Sequence, residues 1–360
     1  MGYMNVSEVD SALRRLAEVY PERAHRVRLP YLTHEGRRCW ALRIGETRRR
    51  KQALLVTGCV HAREWGGADI GVYWLADLLE AATKGAGLRY GDSRLSRDAL
   101  ASALDRLDVI VMPQVNPDGR DWSQRQDALW RGNRNPESVS AGGYGVDLNR
   151  NHDFLWDFPT CFHPDADVAT TTSATHDSQT WRGPSPGSEP ETRNLEHLFD
   201  SRPEIRWYVD LHSYGPTILY PWGDDEDQSV DPSQSFQNPA WNGKRGVGGD
   251  ASYREYIPSA DRKLALQLGR AMANAIEGVR GQRYGVEPAY SLYPTSGAGD
   301  DWAYSRHFVD TRRPRVLPFT LEFGRELFAP EWSVMRPVVL DVCAALTALL
   351  AAASEASSPL

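Results

Sequence analysis

The chain has only four cysteines, Cys39, Cys59, Cys161 and Cys343, spread over 360 residues with no CxxC pair. That spacing argues against a disulfide framework and a thiolate zinc site, and it points to a reducing compartment. Met1-Gly2-Tyr3-Met4-Asn5-Val6-Ser7-Glu8 lacks a basic n-region followed by an apolar h-region. No secretory leader is therefore read, and a cytoplasmic location is expected unless a leader has been removed. Long apolar runs are also missing. The most apolar stretch, Val342 to Ala353, is about twelve residues, too short for a bilayer and suited to a buried helix. Positive charge is in deficit: 41 Lys and Arg against 48 Asp and Glu give a net −7. Sequence-independent nucleic-acid binding needs a basic face and is excluded. Cationic partners would be weakly attracted. No repeat is visible, and no Pro/Ser linker separates two cores. One domain over residues 1–353 is expected, with a frayed tail at 354–360.

What is present is an ordinary globular balance, 41% hydrophobic and 25% charged, with 12 Trp and 15 Tyr. Val9, Ala12, Leu13, Leu16 and Val19 recur at helical spacing, so a helix is expected from Ser7. Ala53–Thr57, Val109–Met112, Trp207–Leu211 and Val316–Leu321 read as buried strands. Helices are expected from about Gly67 to Ala82, Asp261 to Val279 and Met335 to Ala352. Ser188-Glu189-Pro190-Glu191 has the form of a capping box opening another. Asn116-Pro117-Asp118-Gly119 reads as a turn. Residues 157–185 and 223–258 read as loops, and Asp224-Asp225-Glu226-Asp227 as a solvated acidic run. Strands alternating with helices predict an α/β fold with a central, mixed, mostly buried sheet flanked by helices.

His61, Glu64, His212 and Glu322 all follow the C-terminal ends of apolar runs, the edge where open α/β sheets bind ligands. His61 and Glu64 lie on a strand-to-helix connection that can aim a nitrogen and a carboxylate oxygen at one point. Catalytic zinc takes three such ligands and keeps a fourth position for water. His212 is the natural third. His25, His34 and His197 lie in polar or helix-surface settings. His152, His163, His176 and His307 also lie outside strand ends.

At these residues the chain resembles the zinc metallocarboxypeptidases of the pancreatic carboxypeptidase A/B type. The matching segments are Thr57-Gly58-Cys59-Val60-His61-Ala62-Arg63-Glu64-Trp65, Asn116-Pro117-Asp118-Gly119, Leu129-Trp130-Arg131-Gly132-Asn133-Arg134 and Gly145-Val146-Asp147-Leu148-Asn149-Arg150-Asn151. Gly183 to Thr192, Asp210-Leu211-His212-Ser213-Tyr214, Tyr293, Ser296-Gly297, Asp300-Asp301-Trp302 and Thr320-Leu321-Glu322 complete the set. They keep the family's order along nearly the whole chain.

The resemblance implies one zinc ion held by His61, Glu64 and His212. It implies that Asp147 orients the first histidine, that Glu322 is the general base, and that Arg131 stabilises the oxyanion. Asn149 and Arg150 would grip the terminal carboxylate of a peptide, a task suited to a planar guanidinium. Arg63, Ser213 and Tyr214 would line the cleft, and Tyr293 would close over the substrate. Asp300 falls at the specificity position, where B-like members carry aspartate. Release of a C-terminal Lys or Arg follows, because a buried carboxylate needs a cation. The alternative for Asp300 is internal pairing with an arginine. A substrate with a free C-terminal carboxylate, no nucleic-acid or membrane partner and a monomer are expected. Relative to secreted members the chain starts close to the catalytic segment, so no proteolytic activation is expected. The loops at 157–182 and 223–258 would narrow access to the cleft, and Pro294 would stiffen the loop carrying Tyr293. Two other readings compete: a zinc peptidase acting on cell-wall stem peptides or a modified peptide product, and a non-catalytic module of the same fold.

Overall fold

The computed structural model describes residues 2–45 and 51–356. Eight strands form the central sheet: β1 Ala24–Leu32, β2 Arg38–Ile44, β3 Gln52–Gly58, β4 Leu107–Met112, β5 Ile205–Ser213, β6 Thr217–Tyr220, β7 Gly285–Pro288 and β8 Leu317–Phe323. Their spatial order is β1-β2-β4-β3-β5-β8-β6-β7. The central strands β4, β3, β5 and β8 run parallel, while β1, β2 and β6 pair antiparallel with a neighbour. The mixed α/β sheet expected from the alternation is therefore present. The parallel strands are covered on both faces, which is why they read as continuous apolar runs.

The main helices are α1 Val6–Val19, α2 Gly66–Lys84, α3 Arg97–Arg106, α4 Pro117–Arg125, α5 Pro190–Ser201, α6 Ser259–Arg280, α7 Gly299–Val309 and α8 Trp332–Glu355. Helix α8 packs on α6, α2 and α3, α5 packs on β1, and α7 packs on β8. The main core draws on residues from Val9 to Ala353, and a small second cluster gathers Phe162, Ala166 and Val168.

Several local expectations change. Helix α1 starts one residue earlier than Ser7, because Asn5 caps it in a reciprocal box with Glu8. Asn116–Gly119 is the start of α4 and not a free turn: the Asn116 side chain accepts from Gly119 N, and Pro117 occupies the first helical turn. The box at Ser188–Glu191 does not form. Glu189 caps α5 without a side-chain bond, because its carboxylate is occupied by Asn133, Asn135, Ser188 and His34. The segment 157–185 contains two single-turn helices, Phe158–Cys161 and Val168–Thr171, and 223–258 contains the short parallel pair Asp227–Gln228 and Glu255–Tyr256.

The acidic run is only half solvated. Asp224 and Asp225 are fully buried beside the equally buried Arg245, and Gly246 N donates to Asp225. Burial, with Asp224 adding to it, pushes Asp225 up to about 8. The final helix is 24 residues, long and apolar enough by composition to cross a membrane. Its packing against three other helices instead makes it part of the core. Of the expected frayed tail, Ser354 and Glu355 are helical, and 357–360 lie outside the described residues. The four cysteines are unpaired.

The connection after β3 is held by two close contacts. A Cβ on Gly58 would meet the carbonyl carbon of Gly67 at 2.9 Å, so only glycine lets the loop at 59–65 fold back on the start of α2. Behind that loop lies Arg120, fully buried, donating to Trp65 O at 2.7 Å, to Met4 O at 2.7 Å and to Asp69 Oδ2 at 3.3 Å. Removing one member of a buried pair leaves an uncompensated charge. Arg120→Met is expected to lower unfolding free energy by about 3–5 kcal/mol. Urea denaturation checks it, and a loss below about 1 kcal/mol would show that the pair is not a structural anchor.

Candidate active site

Sheet register assembles the site. Across β3, β5 and β8, Thr57 stands opposite Asp210 and Asp210 opposite Thr320; two residues on, His212 stands opposite Glu322. Side chains two apart on a strand share a face, so Asp210 and His212 lie on one face of β5, and Thr320 and Glu322 on one face of β8. The folded-back loop after β3 brings His61 and Glu64 over the same edge.

His61 Nδ1 lies 2.7 Å from Glu64 Oε1 and 3.0 Å from His212 Nδ1, and His212 Nδ1 lies 3.0 Å from Glu64 Oε2. All three residues are buried. The opposite ring nitrogens are held from behind. His212 Nε2 is 2.8 Å from Asp210 Oδ2, and His61 Nε2 is 3.3 Å from Asp147 Oδ1. Asp210 is fixed in turn by the Thr57 hydroxyl at 2.6 Å, and Asp147 by Arg131 Nε at 2.8 Å. Two Nδ1 lone pairs and a carboxylate facing one point form a donor set with nothing of its own to satisfy it. Nitrogen and oxygen ligands about 2.0–2.2 Å from zinc in a tetrahedron sit about 3.3 Å apart, close to the spacing present. The donor set fits one zinc ion.

The electrostatics agree. Burial opposes protonation of His212, but Asp210 and Glu64 outweigh it and hold its pKa well above the ordinary value. Burial would raise Glu64, yet His61 and His212 hold it far below the usual carboxylate range. Asp147 is likewise held low against burial, by Arg131 and His61. His61 is instead lowered by burial, with Arg131 adding to it. Glu322 differs: burial, with Glu64 adding to it against His212 and Arg131, pushes it up to about 7. It remains partly exposed, where water can reach it.

Arg131 is buried and uses Nε on Asp147, leaving the terminal nitrogens of its fork. Asn149 accepts from Gly299 N at 2.8 Å, which ties it to the start of α7. Arg150 is held by the carbonyls of Thr171 and Asn149 at 2.7 and 2.6 Å, and its guanidinium lies 6.0 Å from the ring of the half-exposed Tyr293. Arg63 donates to Gln179 and stacks 3.9 Å from the Phe328 ring, against which Tyr214 also packs. The Ser213 hydroxyl donates to Phe328 O. Thr171 and Gln179 come from the loop at 157–182, which therefore touches two of these arginines.

Asp300 is 6% exposed. Its oxygens accept from the Thr320 hydroxyl at 2.8 Å and from Asp301 N at 2.9 Å. Among the described residues no arginine pairs with it. Next to it Asp301 is fully buried, accepts from Gly223 N, and is driven well above the usual range by burial and by its neighbours Asp300 and Asp224. The sequence reading did not single out Asp210, Thr320, Gln179 or Phe328. Asp210 and Thr320 carried a signal, each two residues before a candidate site residue on its strand; Gln179 and Phe328 depend on tertiary contacts.

The comparisons agree with this geometry. A family model described as zinc carboxypeptidase matches residues 9–345. The chain is 28% identical to carboxypeptidase B of Astacus astacus over 84% of its own length and 81% of the relative's. It is 28% identical to mast cell carboxypeptidase A of Rattus norvegicus over 84% of its length, but spans only 60% of that protein. Carboxypeptidase A from Helicoverpa armigera superposes with a TM-score of 0.73 at 22% identity, covering 99% of this chain and 74% of that one. Bovine thrombin-activatable fibrinolysis inhibitor, solved with a tick carboxypeptidase inhibitor, gives 0.70 at 22% identity, covering 98% and 97%. With residues 9–345 of the chain matched by that model, the protein belongs to the zinc carboxypeptidase family.

Proposed function

We propose that the protein is a metallocarboxypeptidase that hydrolyses the last peptide bond of a chain and releases one amino acid, with residues 1–353 acting as one catalytic unit. The observation that carries this reading is the convergence of His61 Nδ1, His212 Nδ1 and the Glu64 carboxylate beside a raised Glu322 and a buried Arg131. Zinc, when bound, supplies a Lewis acid that polarises a carbonyl and acidifies water.

The chain's own residues do the rest. The Glu322 carboxylate takes the proton of the attacking water and returns it to the leaving amine; a base with a pKa near the working pH can do both. Arg131, fixed by Asp147, presents a positive charge where the carbonyl oxygen becomes negative. Such preorganised charge in a water-poor cleft lowers barriers by about 3–4 kcal/mol per donor. Arg150 and Asn149 hold the substrate's terminal carboxylate, so an internal peptide bond, which offers none, is not cut. Tyr293, exposed at the mouth and near Arg150, covers the bound residue. Arg63, Phe328 and Tyr214 form a distal wall, with Ser213 supporting it through Phe328.

We further propose that the released residue is Lys or Arg. Relatives named A and B both match, so their names leave the choice open. The support is Asp300, buried with neutral donors as its only partners among the described residues. A bound cationic side chain supplies the missing charge. Four unpaired cysteines support placing this reaction in a reducing compartment.

Three outcomes are expected. Chelator treatment abolishes release of the terminal residue and zinc restores it; undiminished activity in metal-free protein would refute the metal role. Glu322→Gln keeps its zinc but loses at least about 100-fold in kcat, and a variant with wild-type turnover would mean that the base lies elsewhere. On matched peptides ending in Arg or Phe, kcat/KM favours Arg, and Asp300→Ala removes the preference. Equal values in the wild type would overturn the basic pocket, and higher rates on diaminopimelate-ending stem peptides would shift the substrate class.

A further inference from the structure

A second group of metal-ligating side chains lies outside the catalytic cleft. His34 sits at the tip of the β1–β2 hairpin, and Glu189 and Glu191 sit at the start of α5. One ligand atom from each lies within 4.8 Å of the others, the same closeness that His61, Glu64 and His212 achieve. Sequence position alone makes His34 a surface histidine, and 24% of its side chain does remain exposed. The two glutamates are buried.

The hydrogen bonds are unevenly shared. Glu189 Oε2 faces His34 Nε2 at 2.9 Å and accepts from Asn133 Nδ2 at 2.7 Å and Asn135 Nδ2 at 3.1 Å. Glu189 Oε1 accepts from Ser188 and Asn135. Glu191 Oε2 accepts from Asn133 at 3.0 Å. Glu191 Oε1 is buried and has no partner. Two adjacent buried carboxylates thus share donors that satisfy three of their four oxygens. An unpaired buried carboxylate oxygen is costly.

The hairpin tip is held firmly enough to present a ligand. Asp118, fully buried, accepts from the Thr33 hydroxyl at 2.9 Å, from Glu35 N at 2.8 Å and from Arg37 at 2.6 Å. These contacts bracket His34 on both sides. Its partial exposure gives an ion a way in.

We propose that His34, Glu189 and Glu191 form a second divalent-cation site, for zinc and similar borderline cations. The cation takes the place of the proton between His34 Nε2 and Glu189 Oε2 and provides Glu191 Oε1 with the partner it lacks. Its two charges balance the two carboxylates once the imidazole is neutral. One imidazole and two carboxylates suit zinc, whereas calcium would want six or more oxygens. The open side, toward solvent, leaves a position for water.

The site also has a route to the catalytic cleft. Asn133, which bridges both glutamates through Nδ2, accepts Val146 N through Oδ1 at 2.9 Å, and its own N donates to Val146 O. Arg131 lies two residues before Asn133, and Asp147 directly follows Val146. Filling the site fastens the two segments that carry the Arg131–Asp147 pair. Its role is structural support, not chemistry, so its test does not depend on turnover.

The full chain, stripped with chelator and dialysed against excess zinc, is expected to hold two zinc ions by elemental analysis. His34→Ala and Glu191→Gln each hold one, and Glu64→Gln holds the other one. A zinc-dependent rise in melting temperature persists in Glu64→Gln and shrinks in His34→Ala. One ion in the wild type, or two in both His34→Ala and Glu191→Gln, would overturn the proposal. Should Glu191→Gln fail to fold, His34→Ala at the hairpin tip decides alone. Absence of hydrolysis with two ions bound would count against the peptidase reading and leave this site standing.

Discussion

Two ring nitrogens pointed at each other set the terms for the rest of this structure. His61 Nδ1 and His212 Nδ1 are 3.0 Å apart with the Glu64 carboxylate on both, in a buried setting. A single shared proton can satisfy only one pair among three donors, whereas a cation with open coordination satisfies all three at once. The surroundings keep the rings from turning away. Asp210 and Asp147 sit behind the opposite nitrogens, Thr57 steadies the first and Arg131 the second. Arg131 is thereby tied to His61 through the Asp147 carboxylate, so the group read as the oxyanion's partner and the first histidine share a support.

The division of labour between sheet and loops follows. His212, Glu322, Asp210 and Thr320 belong to two adjacent parallel strands in one register. Slipping that register by one residue would turn all four to the other face. The groups read as gripping the substrate come instead from connections: Arg63 before α2, Asn149 and Arg150 from a short turn, Tyr293 from an exposed loop. Those connections are braced by the long segment at 157–182 through Thr171 and Gln179. His212 and Glu322 on the sheet are fixed by register, while His61 and Glu64 share the β3–α2 loop with Arg63; groups carried on loops can vary more freely than those on the sheet.

How much of this could be read from the sequence varies with distance along the chain. The four central strands were legible because burial on both faces makes them continuous apolar runs, and His61, Glu64, His212 and Glu322 because each follows one of those runs; Arg131, Asp147, Asn149, Arg150, Tyr293 and Asp300 were legible only through the family resemblance. Glu64 and His61 were legible as a pair, being three residues apart; His212 needed the strand-end argument. Asp210 could have been read from its period-two relation to His212. Phe328 and Gln179 could not, since they meet Arg63 only after folding. The acidic run misled because local composition suggests water, while Arg245, twenty residues on, supplies a buried countercharge. Ser188–Glu191 misled for a related reason: it had the pattern of a cap, but its carboxylates are engaged by Asn133 and Asn135 from another part of the chain.

The neighbours Asp300 and Asp301 bring the same physics to the proposed specificity pocket. Two adjacent carboxylates in a dry site do not both ionise readily. Asp301 is the deeper of the two, and burial together with Asp300 and Asp224 favours its neutral form. Asp300 meets a hydroxyl and a backbone N–H, and among the described residues no cation pairs with it. Neutral donors orient a carboxylate without cancelling its charge. Under the proposed basic specificity, Asp300 is the carboxylate that an entering side chain would meet, and an apolar one would offer it no charge. A guanidinium or ammonium would offer one, so in the proposed pocket the released residue would depend on a charge balance and not on size alone.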